Sequence, residues 1–414
     1  MISFESDYNN GCTPEILRRL ADTNDDRTSG YGSDPYCQSA FRRIREAVQM
    51  TDADVFFLIG GTQTNATVID SLLMGCEAVI TVETGHIAVH ESGAVEAFGH
   101  KVITLPAVDS KLTAATLDRF MDTFTADETA PHMVQPGMVY VSMPTELGMV
   151  YTRSELASLY EACRRHHLRL YIDGARLGYG LMSDVCDYDL PFLARHCDVF
   201  YIGGTKVGAM FGEAVVFTGI SAPKYFFTTV KRHGALLAKG RMLGIQFDTL
   251  FTDGLYERIG ADAVRYADAI RRAMAENGYL PCFPSPTNQS FCIVSEQQRK
   301  ELAERVDFSV WEQYDETHSI IRFATSWAAN FASEAEYEIS RYSRRAGKSG
   351  ILKRQSTKKA FSDFQEKALF ISLRCAQFFF ISCSSCCKSC CVMISSCRCL
   401  AMRSAMLFCT SSVS

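Results

Sequence analysis

The sequence lacks the features of an exported, membrane-spanning or disulfide-stabilised protein. Residues 1–7 contain neither the basic segment nor the apolar stretch typical of a secretory signal. The eight cysteines between Cys12 and Cys292 show no metal-binding or disulfide spacing, which favours reduced thiols. In the Cys-rich C-terminal region, Arg374 and Lys388 interrupt a stretch that is already poor beside the roughly 20 apolar residues of a membrane helix. We therefore expect a cytoplasmic protein with no membrane partner.

Charge is distributed unevenly along the chain. The 414 residues carry a formal net charge of -5, yet residues 341–414 contain 13 Lys and Arg against 2 Asp and Glu. The rest of the chain is acidic, which argues against a nucleic-acid partner. Nine of the 17 cysteines lie in residues 375–409 without any histidine, and helical periodicity fades after Tyr342. We interpret residues 342–414 as a disordered or frame-shifted tail. The alternatives are a genuine metal-binding extension and a weak nucleic-acid or membrane-binding segment.

Short apolar runs alternate with helical patterns over the first part of the chain, which predicts a mainly parallel seven-stranded sheet between helices. The seven runs are Val55-Ile59, Ala78-Val82, Val102-Leu105, Met138-Met143, Leu168-Ile172, Val199-Ile202 and Ala214-Phe217. Helix starts are predicted at Thr113 and Ser154. From about residue 250 the pattern changes to a long helix ending at Asn277-Gly278 and two strands, Ser290-Val294 and Ser319-Ala324. We predict a large α/β domain over 16–249 and a small α+β domain over 250–341, whose last helix begins near Ser333.

A carboxylate and a lysine follow two of these apolar runs. Asp173 closes the run 168–172, and Lys206 follows the run 199–202 through Gly203-Gly204-Thr205. Pyridoxal phosphate (PLP) requires such a pair, since the lysine amine bonds to the cofactor aldehyde and the carboxylate keeps the pyridine nitrogen protonated. An Asp-to-pyridinium contact at about 4 Å is worth roughly 4 kcal/mol at an effective dielectric near 20. Separately the two residues could be a helix cap and a solvated lysine; together they predict a PLP site.

Other strand ends carry groups that suit the same cofactor. The turn Gly60-Gly61-Thr62 opens an apolar helix, and its exposed amides favour a phosphate. It matches neither the Walker pattern nor the dinucleotide fingerprint, and an ordinary strand-to-helix turn would look the same. His86 could lie flat on the pyridine ring. Its spacing from His90 could instead suit zinc on a helix, or it could be a structural histidine, but no third metal ligand is evident and we predict no metal.

Two arginines in apolar surroundings are candidates for binding a carboxylate. Arg176 follows Asp173 closely, and Arg322 lies between Ile321 and Phe323. A guanidinium in such surroundings needs an anionic partner, which could be an amino-acid substrate or an internal salt bridge. Glu146 follows another strand end, where it could contact the cofactor edge or begin a turn.

With these residues, the sequence resembles the threonine aldolase / β-eliminating lyase family of PLP enzymes with the aspartate aminotransferase fold. The resemblance covers roughly residues 3–340. The motifs that carry it are Ser6-Asp7, Gly61-Thr62-Gln63 with Asn65, His86-Ile87 with Glu91-Ser92-Gly93-Ala94, Asp173-Gly174-Ala175-Arg176, Lys206, and Arg322-Phe323-Ala324-Thr325-Ser326-Trp327.

The resemblance implies PLP as cofactor and catalytic roles for Lys206, His86 and Asp173. The residues that would bind the cofactor are Lys206, Asp173, His86, Gly61, Thr62 and Arg176, and those that would bind the substrate carboxylate are Ser6, Arg176 and Arg322. An N-terminal segment, 1–15, would contribute to the active site of a homodimer or homotetramer. One departure is Pro144-Thr145-Glu146, which stands where threonine aldolases commonly have a second active-site histidine.

The implied reaction is cleavage of a β-hydroxy-α-amino acid, such as L-threonine or L-allo-threonine, to glycine and an aldehyde. The base could be His86, a water that it positions, or Glu146. The alternatives are β-elimination or racemisation of a related amino acid, and an inactive remnant whose C-terminus is damaged.

Overall fold

The computed structural model describes residues 2–328. Its strands are β1 Ile2–Ser3, β2 Asp54–Leu58, β3 Glu77–Val82, β4 Lys101–Leu105, β5 Gln135–Ser142, β6 Arg169–Asp173, β7 Val199–Gly203, β8 Glu213–Phe217, β9 Leu280–Pro281, β10 Gln289–Ser295, β11 Val306–Asp307, β12 Ser309–Gln313 and β13 His318–Ala324. The α-helices are α1 Pro14–Asp22, α2 Pro35–Val48, α3 Gly61–Leu72, α4 His86–Val89, α5 Ala94–Ala97, α6 Ala114–Ala126, α7 Arg153–Arg165, α8 Leu177–Leu181, α9 Leu190–Arg195, α10 Phe226–Arg232, α11 Arg241–Leu250, α12 Leu255–Glu276 and α13 Glu296–Ala303.

The largest sheet contains all seven strands that the apolar runs predict. Its order is β2-β8-β7-β6-β5-β3-β4. Strand β8 is antiparallel to both of its neighbours, and the other neighbouring pairs are parallel. The prediction of a mainly parallel seven-stranded sheet is confirmed.

Apolar side chains cover both faces of this sheet, which explains why its strands have continuous apolar runs. Along β6, Leu170 and Ile172 belong to one core cluster, whereas Tyr171 belongs to the cluster on the opposite face. Helices supply the outer layers of both cores. The burial on two sides fixes the register of the strands and therefore the positions of the residues that follow them.

A second sheet, with the order β12-β13-β10-β9, is antiparallel and packs around a third core cluster that includes Ile270 of α12. The N-terminal strand β1 pairs with β11, and the amide of Ala324 donates to the carbonyl of Phe4. These contacts fix the segment that carries Ser6 and Asp7. The prediction of a smaller α+β part is confirmed, whereas the proposed domain boundaries stay predictions.

Helix α7 and strand β12 differ from the sequence-based expectations. Helix α7 begins after Thr152 rather than Ser154, because Thr152 and Glu155 form a reciprocal capping box. Strand β12 was not predicted, since its polar residues Glu312 and Gln313 and a bulge after Val310 hide the alternation of an edge strand. The expected helix near Ser333 and the tail 342–414 lie outside the described residues.

Candidate active site

The candidate active site is a cavity of about 280 Å³ at the carboxyl ends of the parallel strands, where open α/β sheets bind their ligands. Six predicted residues line it: Gly61, Thr62, His86, Asp173, Arg176 and Lys206. Ser6 and Arg322 are not among the lining residues. Others that line the cavity include Tyr8, Glu91, Ser142, Glu146, Tyr201 and Glu213.

Asp173, at the end of β6, is buried and receives four hydrogen bonds. The hydroxyls of Tyr140 and Tyr201 each donate to it at 2.5 Å. The side-chain amide of Asn65 and the backbone amide of Ala175 donate at 2.9 Å. Burial alone would raise the pKa of Asp173, but the Coulombic effect of His86 and the hydrogen bonds from Tyr140, Tyr201 and Asn65 lower it. Asp173 is therefore held as a carboxylate.

The tyrosines around Asp173 remain donors throughout the physiological pH range. Burial raises the pKa of Tyr140, Tyr171 and Tyr201 well above the usual value for tyrosine, and the negative charge of Asp173 adds to this effect. Tyr171 donates to the side-chain oxygen of Asn65 at 2.8 Å, which orients the Asn65 amide toward Asp173. The side chains of these residues therefore form a rigid support for one negative charge.

Lys206 lies one short turn beyond β7. Within residues 2–328 its Nζ makes no hydrogen bond or salt bridge, and the ring of Tyr8 lies 6.0 Å away. Burial lowers the pKa of Lys206, and the positive charge of Arg176 lowers it further. An amine with a lowered pKa is a better nucleophile, because more of it is neutral near pH 7.

Glu213, the first residue of β8, fixes the turn that presents Lys206. One carboxylate oxygen accepts from the hydroxyl of Thr205 at 2.8 Å, and the other accepts from the amide of Gly204 at 3.1 Å. Burial raises the pKa of Glu213 to about 8, against the opposing effects of Thr205 and Lys206. Glu213 thus exchanges its proton in the pH range in which an enzyme works.

The glycine turn forms the start of helix α3. Gly60 is its N-cap, while Gly61 and Thr62 belong to its first turn and line the cavity. A Cβ on Gly60 would meet no atom within 4 Å, so the backbone here is open to a ligand. The unpaired amides and the dipole of a 12-residue helix favour a phosphate at this position.

His86 opens helix α4 and is tied to the support of Asp173 through Glu91. His86 Nδ1 and the Asn65 amide both lie 2.7 Å from the same oxygen of buried Glu91. Because a carboxylate accepts only, this contact assigns the His86 proton to Nδ1. The His86 and His90 rings are 5.6 Å apart. Within residues 2–328, no group of three or more His, Cys, Asp or Glu is arranged to hold a metal ion.

The two arginines occupy different positions. Arg176 lines the cavity, and its Nε and Nη2 donate to buried Asp7 at 2.6 and 3.0 Å. Arg322, on β13, donates to Ser309, to Gln289 and to the carbonyl of Glu5, at 3.1–3.2 Å. Arg176 therefore forms an internal salt bridge, with Asp7, which was one of the two alternatives for the arginines. The roles assigned to the two arginines stay predictions.

Ser6 is buried beside the site, and its hydroxyl accepts from the amide of Tyr8 at 3.2 Å. It belongs to the same short segment as Asp7, which binds Arg176, and Tyr8, which lines the cavity. The structure thus brings the N-terminal segment to the site, although Ser6 itself is not on the cavity wall.

Several site residues were not predicted from the sequence. Tyr140, Tyr171 and Tyr201 lie inside apolar strands and there look like core residues. Glu213 begins a strand in a position that usually points to solvent. These residues could have been found from their polar groups, which lie in or beside runs that were expected to be buried on both faces. A buried polar group needs a hydrogen-bond partner, so each such group points to a polar site.

The residues present fit PLP. A buried carboxylate suits a protonated pyridine nitrogen, an unpaired amine with a lowered pKa suits an aldehyde, and the start of α3 suits a phosphate. This site, on this sheet, defines a PLP-dependent enzyme with the aminotransferase fold. The fold is shared with aspartate aminotransferase from Thermus thermophilus. The two structures superpose over 82% of this chain and 91% of the aminotransferase chain, with 14% identity and a TM-score of 0.58.

The chain belongs to the beta-eliminating lyase family, whose model matches residues 3–308. It is similar to the structure of a threonine aldolase from Leishmania major, with 39% identity and a TM-score of 0.78 over 83% of this chain and 98% of that one. A low-specificity L-threonine aldolase from Pseudomonas sp. is 31% identical over 71% of this chain and 84% of its own. The protein is therefore a PLP-dependent lyase.

Proposed function

We propose that the protein cleaves the Cα–Cβ bond of a β-hydroxy-α-amino acid, with L-threonine or L-allo-threonine as the default substrate. The products are glycine and an aldehyde. The observation that carries the proposal is the convergence of Lys206 and Asp173 on one cavity in a chain that is 39% identical to a threonine aldolase.

Residues around the cavity have complementary roles in holding the cofactor. When bound, PLP supplies an electron-accepting ring. Lys206 would bond to its aldehyde, and the Asp173 carboxylate would keep its nitrogen protonated. Asp173 suits this role because its lowered pKa keeps it ionised. The other residues that would hold the cofactor are His86, which would stack on the ring, Gly61 and Thr62, which would bind the phosphate, and Arg176.

The substrate carboxylate is bound by Ser6, Arg176 and Arg322. Within residues 2–328, Nη1 of Arg176 has no hydrogen-bond partner, which leaves one edge of this guanidinium for an anion. Burial and the positive charge of Arg176 lower the pKa of Arg322, which is consistent with two cations that share one anionic ligand. Asp7 holds Arg176 in place.

We further propose a cytoplasmic homodimer or homotetramer. All eight cysteines in residues 2–328 are free thiols, which suits a reducing compartment. Within these residues no helix is long and apolar enough to cross a membrane. Sedimentation equilibrium of the PLP-loaded enzyme should give the mass of two or four chains, and a monomer would contradict this assembly.

Product analysis of the purified enzyme tests the reaction. With L-threonine or L-allo-threonine and PLP, we expect equal amounts of glycine and acetaldehyde. A 2-oxo acid with ammonia would instead indicate β-elimination, and loss of optical activity without cleavage would indicate racemisation. Lys206→Ala is the control, because it removes the amine and should abolish each of these reactions.

A further inference from the structure

Glu146 is an acid in the cavity wall that the cofactor site described above does not use. It follows β5, the strand next to the one that carries Asp173. Its backbone carbonyl accepts from the side chain of Gln289 at 3.2 Å, and its side chain lines the cavity. This hydrogen bond fixes the Glu146 backbone beside the cavity.

One oxygen of the Glu146 carboxyl group is anchored and the other is free. Oε1 accepts from the backbone amide of His86 at 2.9 Å and from the hydroxyl of Ser142 at 2.7 Å. Oε2 accepts no hydrogen bond from any residue in 2–328. This oxygen is not fully buried. Because Glu146 lines the cavity, Oε2 is accessible from it. Two fixed donors and one accessible oxygen orient this group toward a ligand.

The surroundings of Glu146 make its carboxylate a stronger base than an exposed glutamate. Burial raises the pKa of Glu146, which outweighs the hydrogen bonds from Ser142 and the His86 amide. A general base works best when its pKa approaches the working pH. An ordinary surface glutamate is too weak a base for an alcohol.

We propose that Glu146 is the catalytic base that takes the proton from the β-hydroxyl of the substrate, an inference that rests on the proposed function. The hydroxyl proton passes to Oε2 of Glu146 as the Cβ–O bond becomes a carbonyl. The Cα–Cβ bond breaks, and the electron-accepting ring that PLP would supply would take up its electron pair. Cα then takes up one proton and Glu146 releases one, so that glycine and aldehyde form without any oxidant.

His86 is less suited to this step, although it lies in the same cavity. Its Nδ1 is committed to Glu91, and through Asn65 this contact continues to Asp173. Changing the protonation of His86 would therefore disturb the group that holds the pyridine nitrogen. The Glu146 carboxyl is also linked to Asp173, because the Ser142 hydroxyl that donates to it lies 3.4 Å from the hydroxyl of Tyr140, but within the described residues these contacts leave Oε2 of Glu146 free to take up a proton.

Glu146→Gln tests the assignment, because it keeps the shape of the side chain and removes the base. General base catalysis contributes about 10²- to 10⁴-fold, so kcat/KM for threonine should fall by that factor. Glycine has no β-hydroxyl and thus no need of Glu146. Exchange of its α-proton with deuterium, followed by NMR on the PLP-loaded enzyme, should stay within a factor of about 3 of the wild-type rate.

Ser142→Ala provides a matched test of whether Glu146 acts as the base, because it changes the pKa of Glu146 and leaves the carboxyl group in place. Loss of the Ser142 hydrogen bond raises the pKa of Glu146, so the acidic limb of the kcat/KM profile should move to higher pH. The inference is overturned if Glu146→Gln cleaves threonine at the wild-type rate, or if glycine exchange falls as far as cleavage does. A wild-type enzyme that exchanges glycine but cleaves no β-hydroxy amino acid overturns the proposed function as well.

Discussion

Glu213 is the titratable residue whose contacts bear most directly on the turn before Lys206. It holds Thr205 and Gly204, and its negative charge raises the pKa of Lys206 against the effect of burial. Since the pKa of Glu213 is about 8, its charge changes within the range in which the lysine must become neutral. The protonation of Glu213 therefore affects the pKa of Lys206.

Glu213→Gln should lower the pKa of Lys206. The amide keeps the size of the side chain but removes the negative charge that favours the protonated amine. Labelling of the cofactor-free protein with an amine reagent from pH 6 to 10, followed by peptide mass spectrometry, measures the midpoint at Lys206. We expect a midpoint at lower pH than in the wild type. An unchanged midpoint, or the same shift in the surface variant Glu128→Gln, would contradict the coupling.

Single site residues were predictable where their position in the chain, just after a strand, determines their position in the fold. Asp173 directly follows a predicted strand and Lys206 follows the next one after three residues, and parallel strands bring their carboxyl ends to one edge. The hydroxyls of Tyr140 and Tyr201 were not predictable in the same way, because the aromatic ring belongs to the core and only its tip reaches Asp173. Asp7 could not be paired with Arg176 from spacing, since the two residues are brought together only by the complete fold.

At the scale of elements, the distance between Asp173 and the Lys206 turn depends on the tight packing of two strand ends. The amide of Gly203 donates to the carbonyl of Gly174 at 3.0 Å. A Cβ on Gly174 would lie 1.9 Å from the carbonyl oxygen of Tyr201, and one on Gly203 would lie 2.4 Å from that of Ala175. Both positions require glycine because backbone atoms of β6 and β7 approach each other here.

Gly174→Ala should therefore separate the ends of β6 and β7 and weaken the site. Overpacking costs typically about 1–3 kcal/mol, and a backbone clash belongs at the upper end of this range. Urea unfolding should show this loss of stability, and a PLP titration should show weaker binding. Gly75→Ala is the control, since its Cβ would meet nothing within 4 Å, and it should change stability by less than about 0.5 kcal/mol. Equal effects of the two substitutions would argue against the strand-end packing.

Strands were predictable where burial on both faces requires a continuous run of apolar residues in the sequence. The central strands of the large sheet are buried on both faces, so each appears as a short hydrophobic block. The N-cap of α6 was equally clear, because Thr113 accepts from the amide of Thr116. Strand β12 escaped prediction because it lies at the edge of its sheet, where only one face is covered and polar residues are tolerated.

At the scale of the molecule, the site depends on contacts between parts that are distant in the chain. The N-terminal strand pairs with β11, and Asn288 donates to Asp7 at 2.9 Å, which fixes the acid that holds Arg176. Sequence periodicity contains no information on such pairings. The resemblance to a known family predicted that Ser6 and Arg322 belong near the site, but it could not give the contacts that they make.

The central claim is that Lys206, facing Asp173, is the residue that binds PLP covalently. Borohydride reduction of the PLP-loaded protein, followed by proteolysis and mass spectrometry, tests it most directly. We predict one pyridoxyl label, on the peptide that contains Lys206, and no label in Lys206→Ala. A label on another lysine, or an unchanged cofactor absorbance in Lys206→Ala, would contradict the account.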